Sequence, residues 1–199
     1  MSISLQKRGT ISLKKEDGMR KCMVGLGWDP VKEKRGGFFS FNKQDDIDCD
    51  AAVMLVTKDG EREFVYFGKQ NSDTGCVRHM GDNLTGEGDG DDEQIFLDLE
   101  SMPSSVVRIV VGVNIYRAKS RNQHFGKIED CFIRLVNNDN NVEFCRYDIS
   151  NNAEYNGCTS MIMGVFDREY NGYFKFTAIG EGSMKDTAKS MFDGYEFLK

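Results

Sequence analysis

Short segments of alternating or wholly apolar residues, cut by glycine, asparagine or aspartate turns roughly every dozen residues, run through most of this chain and leave little room for long helices. Ser2-Ile3-Ser4-Leu5 and Thr10-Ile11-Ser12-Leu13 alternate on either side of Lys7-Arg8-Gly9 and predict an edge hairpin. Lys21 to Trp28 is a more apolar strand in which Gly25 and Gly27 mark a bulge or a close backbone approach, and Asp29-Pro30 ends it. Lys58-Asp59-Gly60 turns the run before it into Phe64-Val65-Tyr66-Phe67, and Met102-Pro103 leads into Val106 to Ile115, the most apolar stretch and the predicted central strand. Cys131 to Val136 pairs with Val142 to Tyr147 around Asn137 to Asn141, and Ser160 to Phe166 pairs with Gly172 to Ile179 around Arg168 to Asn171. Ala118 to Phe125 reads as a loop or a single helical turn. From Ser183 to Phe192, Met184, Ala188, Met191 and Phe192 recur at helical spacing. The expected fold is mainly β: a two-sheet β-sandwich with a short C-terminal helix, in a single domain over residues 1–199.

Composition agrees, with 21 glycines, 2 prolines, 14 phenylalanines and 7 tyrosines favouring strands and tight turns over helices. Cys22, Cys49, Cys76, Cys131, Cys145 and Cys158 show no C-x-x-C spacing and are expected as free thiols in a reducing cytosol. No apolar signal core follows Met1 and no apolar run is long enough to span a bilayer, so a cytoplasmic location is expected. Lys32 to Lys43, basic and without periodicity, is expected as a mobile surface loop.

The net charge of −6 is local. Asp45, Asp46, Asp48 and Asp50 form one acidic run, and Gly81-Asp82-Asn83-Leu84-Thr85-Gly86-Glu87-Gly88-Asp89-Gly90-Asp91-Asp92-Glu93 forms a second; the rest of the chain carries more bases than acids. A chain of this balance lacks the basic surface that non-specific nucleic-acid binding requires. The second run has no cation, is interleaved with glycines, and leads directly into the alternating strand Gln94 to Leu99, so it is a loop anchored on a strand. Carboxylates this dense repel one another by about 1 kcal/mol per close pair in water and about 4 at an effective dielectric of 20. A hard divalent cation that accepts carboxylate, amide and backbone oxygens relieves that repulsion, and calcium fits best. The competing reading is a solvated acidic hairpin.

Asp46, Asp48 and Asp50 share one face of an extended chain, about 6.5 to 7 Å apart, with Ile47 and Cys49 on the other. This ladder leads into a core strand and is unfavourable unless paired. Asn71 to Gly75 is an oxygen-rich loop that adds Asp73, and His79 is expected to be structural. The acidic loop lacks EF-hand order, the histidines and cysteines lack zinc spacing, and no nucleophile signature or phosphate-binding motif is present.

Gly25-Leu26-Gly27-Trp28-Asp29, Asp48-Cys49-Asp50-Ala51, the loop Gly81 to Glu93, and Cys131-Phe132-Ile133-Arg134-Leu135-Val136-Asn137 resemble the TerD family of tellurium-resistance and stress-response proteins, nearly end to end. The resemblance implies a calcium-binding β-sandwich of bacterial cytoplasm, linked to resistance to tellurite, phages and colicins. Protein partners in a stress-response complex, whether or not membrane-associated, are expected with it. This chain departs from the family pattern at Ala52, at Arg117 with Gln123-His124-Phe125-Gly126-Lys127, and at Tyr66-Phe67-Gly68-Lys69-Gln70-Asn71.

The expected function is therefore a non-enzymatic calcium-binding module whose ordered loop engages a partner. Asp48 and Asp50 supply one side of the site, and Asp82, Asn83, Glu87, Asp89, Asp91, Asp92 and Glu93 the other. Thr85 and glycine carbonyls fill further positions, Asp73 is an outlying candidate, and so many acids accommodate two adjacent ions. The alternatives are a metal-dependent enzyme on phosphate esters, with Lys69 or Arg78 as its basic group, and a cyclic-nucleotide sensor.

Overall fold

The computed structural model describes residues 2–13, 19–30, 47–81, 90–149 and 153–195. The described residues build two six-stranded sheets. In chain order the strands are β1 (Ile3–Ser4), β2 (Thr10–Leu13), β3 (Lys21–Pro30), β4 (Cys49–Thr57), β5 (Arg62–Tyr66), β6 (Val77–His79), β7 (Glu93–Asp98), β8 (Val106–Ile115), β9 (Ile128–Asn137), β10 (Val142–Asp148), β11 (Ser160–Arg168) and β12 (Phe174–Ser183). The first sheet runs β1-β10-β9-β3-β7-β6 and the second β2-β12-β11-β8-β4-β5. One helical turn, α1 (Ala118–Arg121), follows β8.

Alternation assigns the faces. Val24 and Leu26 of β3, Ile95 and Leu97 of β7, and Ile133 and Leu135 of β9 meet Cys49, Ala51, Val53 and Leu55 of β4 and Ile109, Val111 and Val113 of β8 between the sheets. The other face of β4 carries Ala52, Met54 and Val56, which join Val110 and Ile162 under Ala188, Met191 and Phe192. β4 is thus buried on both faces, which is why its sequence reads as a continuous apolar run. Each large side chain such as Phe166 or Phe176, fully buried, contributes about 1.5–3 kcal/mol. Arg168 fastens the approach to β8: its guanidinium lies over the Phe174 ring and donates to the carbonyls of Met102, Pro103, Val106 and Gly172.

The hairpins at Lys58 to Gly60, Asn137 to Asn141 and Arg168 to Gly172 form as the turn residues direct, with Gly60 at φ 83° and Gly172 at φ 86°. β8 lies inside its sheet, between β11 and β4. Two expectations are corrected. The N-terminal segments do not pair with each other: β1 runs parallel to β10 in the first sheet, whereas β2 runs antiparallel to β12 in the second. Gln6 to Gly9 carries the chain between sheets, with Arg8 at φ 65° and its N–H donating to the Ala178 carbonyl. The C-terminal stretch is a single 3-10 turn, Ser190–Phe192, and not an amphipathic helix; Met184 is exposed while Ala188, Met191 and Phe192 cap the outer patch of β4. Thr187 and Ser190 exchange side-chain and backbone hydrogen bonds there, which compete with helical pairing. The basic stretch 32–43 lies outside the described residues.

Candidate metal centre

β4 begins where β5 has already ended: the last β4–β5 register pair is Ala52 with Tyr66, so among the described residues the main-chain groups of Ala51 have no strand partner on that side. The first sheet supplies one. Glu93, at the start of β7, points into the sandwich with Ile95 and Leu97, and its Oε2 accepts the Ala51 N–H at 2.5 Å. His79 of β6 also points inward; its Nδ1 accepts the Gly81 N–H at 3.2 Å, which leaves the proton on Nε2. That N–H faces the Ala51 carbonyl at 3.2 Å and Glu93 Oε2 at 3.4 Å. A buried carboxylate and a neutral imidazole therefore clasp the start of β4 from the opposite sheet.

Ile47 and Cys49 turn into the core while Asp48 and Asp50 lie on the outer face of the second sheet. These two acids are not a solvated edge, for Asp48 is 7% and Asp50 3% exposed. The segment after β8 folds over them: Tyr116 N–H donates to the Asp48 carbonyl, and Arg121 Nη1 stands 3.8 Å from Asp48 Oδ2. Arg117 and Arg121 both lie against the Tyr116 ring. Beside Asp50, in register on β8, sits Asn114, 3% exposed, whose buried Oδ1 accepts no hydrogen bond among the described residues.

The end of the acidic loop folds back on the first sheet. A bulge between Gly27 and Asp29 takes the Trp28 N–H out of the ladder, and Asp92 Oδ2 accepts it at 2.8 Å while the Asp92 N–H donates to the Leu26 carbonyl. Asp91 lies over Gly25. Its carboxylate is fully buried and takes two bonds from Arg134, at 2.6 and 2.9 Å, with Gln94 Nε2 at 3.3 Å. Gly25 pairs with Arg134 on one side and Gln94 on the other, and a side chain at Gly25 would occupy the space of the Asp91 carboxylate. Gly27 is equally required, since Phe132 and the Gly90 carbonyl fill its outer face. The close approach expected at these glycines is thus the loop itself.

Both acidic runs act on one end of the core. Burial pushes the Cys49 thiol well above its ordinary pKa, helped by the charges of Cys131, Glu93, Asp50 and Asp48. Cys131 is pushed up to about 12 by burial, with Asp92 and Asp148 adding to it. Among the described residues no three histidine, cysteine or carboxylate side chains already converge as a metal-binding group. Asp82, Asn83, Thr85, Glu87 and Asp89 lie outside the described residues, as does Asp46. Asp73 stands elsewhere, on the exposed loop after β5, where Lys69 binds both it and Glu63 at 2.7 Å; the hydrogen bond from Lys69 lowers the Asp73 pKa. All six cysteines are free.

The donor set fits a hard cation. Asp48 and Asp50 offer buried carboxylates and Asn114 a buried amide oxygen with no donor among the described residues. Asp91, neutralised by Arg134, and Glu93, bonded to Ala51, hold the two sheets and the loop in place. Sequence reasoning passed over Asn114, Arg121 and Arg134. The first is detectable as a lone amide in an apolar strand, on the face that pairs with Asp50, whereas the other two need the tertiary fold.

The structure thus defines a two-sheet β-sandwich with an acidic, oxygen-rich end. Residues 1–195 match the TerD domain model, and the chain belongs to the TerD domain family. It is 42% identical to the stress response protein SCP2 of Bacillus subtilis (strain 168), over 98% of this chain and 100% of that one. It is 41% identical to the tellurium resistance protein TerD of Serratia marcescens, over 92% and 91% of the two chains. A crystal structure of a homologue of telluride resistance protein (TerD) from Streptomyces coelicolor A3(2) superposes with a TM-score of 0.64 at 22% identity, covering 88% of this chain and 95% of that one. This last likeness is one of fold.

Proposed function

We propose that this protein is a non-enzymatic calcium-binding module of a bacterial stress-response system of the tellurium-resistance type. Calcium orders the acidic loop, and the ordered loop presents a surface to a protein partner. The observation that carries this reading is the meeting of two runs some forty residues apart in sequence: Glu93 is bonded to the main chain of Ala51, directly beside Asp50. Asp48 and Asp50, at the start of β4, would hold the ion on one side, and Asp92 with the oxygen-rich residues Asp82 to Asp89 of the loop would supply further ligands. The ion would supply positive charge where the ion pairs seen, Arg121 with Asp48 and Arg134 with Asp91, leave an excess of carboxylate. Calcium is favoured over magnesium because amide and carboxylate oxygens on a glycine-rich loop suit a large, irregular coordination sphere.

The family relationship supports the stress-response setting. The two basic groups named for the hydrolase alternative are engaged elsewhere: Lys69 is held by Glu63 and Asp73, and Arg78 lies over Phe96 on the outer face of the first sheet. Melting in calcium and in chelator tests the reading. A ligand that binds only the folded state stabilises by about 2.7 kcal/mol at a hundredfold excess over Kd, roughly 5 to 10 °C for a chain of this size. Identical melting temperatures would refute it.

A further inference from the structure

β8 carries Val106-Val107-Arg108-Ile109-Val110-Val111-Gly112-Val113-Asn114-Ile115, an apolar strand interrupted near its end by one amide. Its alternation puts Asn114 on the outer face with Val110, while Val111, Val113 and Ile115 enter the inter-sheet core. Antiparallel register places Asn114 directly between Asp50 of β4 and Ser160 of β11. Side chains opposite one another in such pairs have Cβ atoms about 4.5–5.5 Å apart, so the amide and the Asp50 carboxylate are neighbours on one face. Ser160 is fully buried and satisfied by Ser183 Oγ at 2.8 Å. Asn114 Oδ1 is buried and, among the described residues, receives no hydrogen bond.

A buried acceptor without a donor costs stability, and valine would fill the same strand position without that cost. The amide beside two buried carboxylates therefore calls for a cationic occupant. A neutral oxygen adds coordination without the repulsion that a third carboxylate would bring, and amide oxygens are ordinary calcium ligands. We infer that Asn114 supplies, through Oδ1, a neutral ligand to the calcium ion held by Asp48 and Asp50, so that the site extends from β4 onto β8. This inference rests on the calcium reading above.

Calcium titration calorimetry, with urea denaturation in chelator, tests it on the full chain. Asn114→Leu, close in size, should weaken calcium binding by about tenfold or more while leaving the calcium-free protein as stable as the wild type or more so. Asn114→Asp, which keeps an oxygen at the same place, should bind calcium within a few-fold of wild type or more tightly. Should the leucine variant fail to fold, Asn114→Ala takes its place in the comparison with Asn114→Asp. Wild-type calcium affinity in the leucine or alanine variant would overturn the inference and leave the oxygen to a buried water. Absence of calcium binding by the wild type would overturn the calcium reading itself, which separates the two failures.

Discussion

Gly25→Ala probes how the end of the acidic loop is held to the first sheet. The added methyl would strike the Asp91 carboxylate, which lies over Gly25 between its register neighbours Arg134 and Gln94. That carboxylate cannot move aside without breaking its bonds from Arg134 Nε at 2.6 Å and Nη2 at 2.9 Å. Stranding one member of a fully buried ion pair costs about 3–5 kcal/mol. Arg134 is 28% exposed and keeps Glu143 at 3.2 Å, so the expected loss is smaller, about 2 kcal/mol. For a chain of this length that lowers Tm by roughly 4 to 8 °C. Asp91→Ala alone should lose a similar amount. In the double variant the methyl has nothing to strike, so the total should stay near that of Asp91→Ala, a coupling of about 2 kcal/mol. Urea unfolding in chelator, followed by the fluorescence of the buried Trp28, gives all three values. Additive losses, near 4 kcal/mol in the double variant by the same estimate, would refute the placement of Asp91.

Other perturbations follow from the same geometry. Glu93→Ala strands the Ala51 N–H, removes the carboxylate beside His79 and should destabilise by about 3 kcal/mol in urea unfolding, with Glu93→Gln losing less. Arg121→Gln removes a positive charge from beside Asp48 and should tighten calcium binding roughly two- to fivefold in a calcium titration, less so at high salt. Asp73→Asn should leave both the melting temperature and the calcium titration unchanged, because Asp73 stands on a separate exposed loop. The thiols of Cys131 and Cys145 are raised to about 12, chiefly by burial. Their neutral form is favoured by folding, so the stability they contribute is complete below pH 9 and is lost as pH rises from 9 toward 12. Each thiol should steepen the alkaline loss of stability by about 1.4 kcal/mol per pH unit, measured by urea unfolding across that range.

Local pattern was legible wherever one face of a strand meets the core. Ile47 and Cys49 against Asp48 and Asp50 sorted by alternation alone, and the turn glycines fixed the hairpins. Gly25 and Gly27 signalled close approach, although only the fold shows that Asp91, Gly90 and Phe132 make it. Pairing across the sandwich was not legible. β1 and β2 alternate alike, and nothing in Gln6 to Gly9 says that the turn crosses between sheets. The C-terminal stretch misled because Ala188, Met191 and Phe192 serve an apolar patch equally well from a 3-10 turn as from a helix. Within the candidate site, density of charge did not tell the roles of the acids apart. Glu93 and Asp91 are held by Ala51 and Arg134, partners 42 and 43 residues away in sequence.

Isothermal titration of calcium and of magnesium into the wild type and into Asp48→Asn with Asp50→Asn tests the central claim most directly. Calcium should bind the wild type, more tightly than magnesium, and the double variant should lose that binding to the same extent as a variant neutralised at Asp92 in the loop. Calcium binding by the strand variant equal to wild type, or no binding by the wild type at all, would contradict a site shared between β4 and the acidic loop.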